Sequence, residues 1–161
     1  MNTQNIPFLP ELIKFEGDWN DFIARAYLVF KKDFIESSPR IHGVYVSVNR
    51  TKNDGSPMEE GFWHLVTRED KKLKERLPDF PRAERVSWVR PIVENYSAIE
   101  IERWRYLEGS GQVRHYLYVR AADYLVILEE RPKSYFLVTG FYVDSDWKRR
   151  DLEAKKIKCM P

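Results

Sequence analysis

Residues Ile99–Asp144 read IEIERWRYLEGSGQVRHYLYVRAADYLVILEERPKSYFLVTGFYVD, and this run decides the fold class. Aromatic and β-branched residues dominate it, and they fall into four candidate strands: Ala98–Leu107, Val113–Arg120, Tyr124–Glu130 and Ser134–Val143. GSG and RPK supply turns between neighbours. Strands joined by short turns pair antiparallel with least loop entropy, so the run predicts a meander.

Upstream the pattern changes to a helical period. In Asp18–Glu36 the apolar residues Phe22, Ile23, Ala26, Tyr27, Phe30 and Phe34 recur at three- and four-residue steps, which places them on one helical face. Asp18 or Asn20 is a candidate cap, and Ser37-Ser38-Pro39 ends the helix. Before it, MNTQNIPFLPELIKF carries two prolines and no period, and reads as an arm laid over the body through Phe8, Leu9 and Phe15. Between helix and meander, Ile41–Asn49 and Gly61–Thr67 read as the two arms of a hairpin, with TKNDGSPMEEG as its loop. REDKKLKER then reads as a polar connection, and Asp79 with Pro81 starts a helix through Arg82, Arg85, Trp88 and Val89 that Pro91 bends or interrupts. WKRRDLEAKKIKCMP is a basic helix or a frayed end.

The sum is an α+β fold: an N-terminal helical part, then a mainly antiparallel, curved β-sheet with one or two further helices. The 161 residues suit a single domain, with 1-16 as arm, 17-40 as helix, 41-147 as α+β core and 148-161 as basic tail. Hydrophobic residues make up 43%, enough for a core, while 27 basic against 25 acidic residues leave a net charge of +2, so affinity for a polyanion has to come from local clustering. The single cysteine, Cys159, cannot form an internal disulfide, and no leader or membrane-length apolar run is present; both point to a cytoplasmic protein with no membrane partner.

The chemistry-bearing residues are few. Of three histidines, His64 stands out in GFWHLVTRED (Gly61–Asp70), where strand alternation sets Phe62, His64 and Val66 on one face. An imidazole beside large aromatics is suited to acid or base work near neutral pH, although a histidine hydrogen-bonded at a core edge has the same local sequence. His115, in VRHYLYV, fits a cross-strand partner equally well, and His42 carries no local signal. Arg82 and Arg85 lie three apart on the expected helix and can reach one surface, with Arg68 or Arg76 approaching from the preceding loop. Guanidinium groups bind phosphate in a fork and stabilise a phosphorane-like transition state, whereas pairing with Glu69, Glu75 and Glu84 is the ordinary alternative. Thr139, next to Gly140, is a candidate donor to a phosphate oxygen, and Tyr142 offers a hydroxyl or a stacking face. Trp88, Trp104 and Trp147 read as core or sheet-covering residues. No CxxC, HExxH, phosphate-binding glycine loop or GxSxG elbow occurs, so no metal site, cofactor or serine triad is expected.

Taken in order, FWHLVTRED, RLPDFPRAERVSWVRPIVEN and RHYLYV, DYLVIL and SYFLVTGFYV resemble small phage- and mobile-element-associated proteins placed with the barnase, EndoU, colicin and RelE-like RNase superfamily. The resemblance covers most of the chain after Arg40. It implies a metal-independent endoribonuclease in which the ribose 2′-hydroxyl attacks the adjacent phosphate and leaves a cyclic phosphate. It further implies His64 as acid or base, Arg82 or Arg85 as phosphate clamp, and Thr139 as the hydroxyl orienting the phosphate. Arg68, Arg76, His115 and Tyr142 are then substrate-binding candidates, and the implied partners are RNA and an antitoxin or immunity protein, in the setting of a toxin or phage-borne effector. The chain departs from a two-histidine arrangement, which leaves His115, Tyr142 or Lys133 for the opposite proton transfer. A non-catalytic nucleic-acid- or protein-binding module using the same basic and aromatic surface is the alternative, and an accessory protein with no nucleic-acid role is the third.

Overall fold

In a computed structural model, which describes residues 6–53 and 55–161, the four expected C-terminal strands form the body of the sheet: β5 (Glu102–Leu107), β6 (Val113–Val119), β7 (Tyr124–Glu130) and β8 (Tyr135–Tyr142). Each pairs antiparallel with the next, in the meander that the short turns dictate. A β-bulge between Ile127 and Leu128 shifts the β7–β8 register. Two short strands, β1 (Arg40–Ile41) and β2 (Val44–Ser47), complete the order β1-β2-β8-β7-β6-β5. β2 runs parallel to β8 and pairs with it only at Tyr135 and Phe136, so from Leu137 onward no strand covers the outer edge of β8.

The helix expected after Asp18 is α1 (Trp19–Phe30), continued by one π-helical turn at Lys31–Ile35. Asp18 caps it by accepting the Asp21 amide at 2.8 Å. Its Phe22, Ile23, Ala26 and Phe30 are buried, joined by Phe34 from the π turn. The arm packs as expected through Phe8 and Leu9, with Ile6 buried and the Trp88 indole donating to the Pro10 carbonyl at 2.8 Å; its first five residues lie outside the described ones.

The expected hairpin between Ile41–Asn49 and Gly61–Thr67 does not form. Gly61–Val66 belongs to a helix, α2 (Glu60–Val66), which buries Phe62, Leu65 and Val66 on one face. Those three positions carry helical i, i+3, i+4 spacing, and this outweighs the alternation of Phe62, His64 and Val66. The entry to α2 is fixed by backbone contact: the Gly61 amide donates to the Asn49 carbonyl at 3.0 Å, and a Cβ at Gly61 would lie 3.0 Å from that same oxygen. The hairpin stands instead where a polar connection was expected, as β3 (Thr67–Asp70) and β4 (Glu75–Pro78), a separate two-stranded ribbon.

Asp79 does cap a helix, α3 (Phe80–Ala83), with Pro81 in its first turn. The chain then breaks at Arg85, runs through a 3-10 turn at Val86–Trp88 and restarts as α4 (Val89–Glu94), so Pro91 sits in a first turn where a missing amide is harmless. Helices α1, α2 and α4 cover one face of the sheet over Leu117, Val119, Val126, Leu128 and Leu137. On the other face Trp104, Tyr116, Tyr118, Leu125 and Ile127 pack with Leu152 of α5 (Asp146–Ile157), the basic C-terminal helix. Trp88 and Trp104 are buried as expected, whereas Trp147 is exposed on α5. No helix among the described residues is long and apolar enough to cross a membrane.

Candidate functional site

Where β2 stops covering β8, helix α2 and the β3–β4 ribbon take its place and leave a cavity of about 410 Å³. Its walls carry Asn49, His64, Glu69, Arg76, Arg82 and Thr139, with Phe136 and Phe141 as apolar floor. Four of the residues singled out in the sequence, His64, Arg76, Arg82 and Thr139, therefore meet around one groove although they come from four different elements.

His64 reaches the groove from the last turn of α2, not from a strand. Its side chain is 41% exposed, with Nε2 3.9 Å from Glu60 Oε2 one turn earlier. Partial burial, then the positive charge of Arg76 and Arg82, pull its pKa below the ordinary imidazole value, and Glu60 and Glu69 oppose the shift. The imidazole is therefore neutral at pH 7, able to accept a proton or to donate one below that pH.

The two arginines of the groove are tied to the backbone. Arg82 Nη1 donates to the carbonyl oxygens of His64 at 3.1 Å and Thr67 at 2.8 Å, satisfying acceptors that the end of α2 leaves open. Arg76 donates from Nε to Thr67 Oγ1 at 2.7 Å and from Nη2 to Thr67 O at 2.8 Å. The Arg82 Nε lies 3.5 Å from Asp79 Oδ2. Both guanidinium groups are half-buried or more, and burial lowers their pKa values without bringing them near neutrality. They lend the groove a fixed positive field, and much of their forked donor capacity already holds α2 to the ribbon. Thr139 Oγ1 likewise donates to the His64 carbonyl, at 3.2 Å.

The remaining candidates lie elsewhere. Arg85 turns away from the groove, donates to the Pro81 carbonyl at 2.7 Å and stacks 4.3 Å over the Tyr142 ring, so this pair is a packing unit and Arg82 and Arg85 do not share one surface. His115 is buried, 6% exposed, with Nε2 2.6 Å from Glu130 Oε1, and Glu130 also accepts from Arg105 at 2.8 Å. That triad and Lys133 line other depressions of the surface. Arg68 is exposed on the outer face of the ribbon.

Two groove residues were not singled out in the sequence, Glu69 and Asn49. Glu69 pairs with Arg76 across the ribbon, and the signal for it was the alternation of Thr67 and Glu69 within TREDKKLKER (Thr67–Arg76). Among the described residues no group of three or more His, Cys, Asp and Glu side chains is gathered as metal ligands would be. Comparison of the chain with protein-family models, with curated proteins and with solved structures finds no match to any of them.

Proposed function

We propose that the chain is a metal-independent endoribonuclease whose active site is the groove between α2, the ribbon and β8. The observation that carries this reading is the placement of a half-exposed His64 in one cavity with Glu69, Arg76, Arg82 and Thr139. In the proposed reaction Glu69 takes the proton of the ribose 2′-hydroxyl as its oxygen attacks phosphorus. The bond from phosphorus to the 5′-oxygen breaks, and His64, in its protonated imidazolium form, gives that oxygen a proton and becomes neutral, leaving a 2′,3′-cyclic phosphate. Arg76 and Arg82 offset the charge that builds on the phosphate oxygens.

A non-catalytic polyanion-binding module is the second reading, and a specific observation favours it: the donors of Arg76 and Arg82 are engaged with backbone carbonyls. Purified protein incubated with structured RNA in excess EDTA separates the two. The ribonuclease reading expects products ending in cyclic phosphate and their loss in His64→Ala and Glu69→Gln. Binding that survives His64→Ala, with no cleavage by wild type over a range of RNAs, favours the module.

A further inference from the structure

The β3–β4 ribbon stands apart from the main sheet and joins the groove at its base, where Arg76 lines the cavity and pairs in register with Glu69. Its turn reads Lys71-Lys72-Leu73-Lys74, all exposed, with Leu73 61% exposed at the tip. Arg68 adds a further exposed cation on the strand leading up to it. Among the described residues none of Arg68, Lys71, Lys72 and Lys74 lies within ion-pair distance of a carboxylate. The contrast is with α5, where four of the five cations, Lys148, Arg149, Lys155 and Lys156, are each paired with an acid. The acids on the ribbon only partly offset its charge: between Arg68 and Arg76 the three acids Glu69, Asp70 and Glu75 stand against five cations, with Glu75 exposed beside Lys74. Asp70 turns its carboxylate onto the amides of Lys72 and Leu73, both at 2.9 Å, and so shapes the turn, while Glu69 faces the groove. A four-residue strand carries the tip roughly 13 Å from the base.

We propose that the β3–β4 ribbon is a docking arm for the sugar–phosphate backbone of RNA, its lysines holding phosphates that flank the one in the groove. The identity of the polyanion rests on the ribonuclease reading; the arm itself rests on the unpaired cations and their direction from the groove. One exposed leucine supplies too little apolar surface to favour a lipid bilayer over a nucleic acid.

The test is binding of a short fluorescein-labelled single-stranded RNA to the full chain over a series of salt concentrations, beside Lys71→Gln/Lys72→Gln/Lys74→Asn. These positions are exposed, and asparagine suits the left-handed backbone of Lys74 at φ 54°. Each single-strand phosphate contact contributes about 0.7 to the slope of log K against log salt, so the triple variant loses about 2 from that slope and, the lines meeting near 1 M salt, about a hundredfold in affinity at about 0.1 M salt. Arg150→Gln on α5 together with Lys158→Gln at its C-terminal cap leaves both unchanged. A wild-type slope in the ribbon variant overturns the arm, as does an equal loss in the α5 variant, absence of RNA binding by wild type, or binding to phosphatidylserine vesicles without binding to RNA. RNA held through the ribbon but never cleaved overturns the ribonuclease reading and keeps the arm; RNA cleaved while the ribbon variant binds normally does the reverse.

Discussion

The hydroxyl of Thr139 donates to the backbone carbonyl of His64 at 3.2 Å, a bond between residues 75 positions apart that ties β8 to the last turn of α2. Thr139 therefore fixes where His64 stands and touches the groove only from its wall. Thr139→Val keeps the shape and removes the donor, so it is expected to lose about 1 kcal/mol of stability in urea unfolding. Thr139→Ser, which retains the hydroxyl, is expected to stay closer to wild type, and equal losses in both variants would show that the bond is not what matters.

His64 makes folding stability depend on pH in a stated direction. Its folded pKa lies below the ordinary imidazole value of about 6.5, so between those two pH values the unfolded chain binds more protons than the folded one. Stability is unaffected above the unfolded value and falls as pH drops through this window to the folded value. Urea midpoints from pH 7.5 down to about 5 are expected to decline more steeply in wild type than in His64→Gln; parallel curves sink the assignment.

The same depression shapes the proposed catalysis. With Glu69 as base and His64 as acid, kcat/KM is expected to follow a bell whose alkaline limb lies below 6.5, since the free enzyme sets that limb. A pH profile on a small dinucleotide substrate reads it directly. An alkaline limb that persists in His64→Ala assigns the acid to another group.

Behind the groove, Tyr124 is fully buried and its hydroxyl has no hydrogen-bond partner, although the Arg82 and Arg85 charges lie near it. The hydroxyl sits over Gly140: a Cβ there would lie 2.7 Å from it. Gly140→Ala is expected to destabilise by about 1–3 kcal/mol through overpacking. Tyr124→Phe removes an unsatisfied polar atom and is expected to be neutral or stabilising, and combined with Gly140→Ala to recover much of the loss. Additive effects in the double variant would refute the clash.

On the far side, Glu130 accepts hydrogen bonds from Arg105 and lies 2.6 Å from His115, and these partners hold its carboxyl below the usual range. The stability this contributes is present above the unfolded carboxylate value and is lost as pH falls through the folded one. Acid unfolding of Glu130→Gln is expected to be flatter below about pH 4.5 than that of wild type, with a lower plateau at neutrality because buried His115 loses its partner. Circular dichroism along an acid titration distinguishes the two curves.

What could be read from the sequence follows the range of the interactions involved. The four meander strands and α1 were legible because each carries its period over six residues or more and ends at a turn or a cap. α2 was not: within its seven residues EGFWHLV the stretch FWHLV satisfies both periods, and the helix is selected by Gly61 against Asn49, a contact that no local pattern contains. The ribbon was hidden because its alternation is made of charges, so it looks like solvent-facing loop. His64, Arg76, Arg82 and Thr139 could be picked out by residue type, but their convergence depends on α2 filling the edge that β2 leaves open. Arg85, three residues from Arg82, turned aside to stack on Tyr142 because α3 ends before reaching it.

The two-residue pairing of β2 with β8 has a consequence for the order of assembly. Ser47 and Tyr135 are 88 positions apart, and the edge against which α2 rests is made by the last strand of the sheet. A chain emerging from synthesis holds His64 and the ribbon long before β8 exists to complete the groove. Contacts of such high sequence separation close late and slowly, so the site is completed only once β8 is in place, and a nascent chain that lacks β8 carries its chemistry-bearing residues without the geometry that joins them.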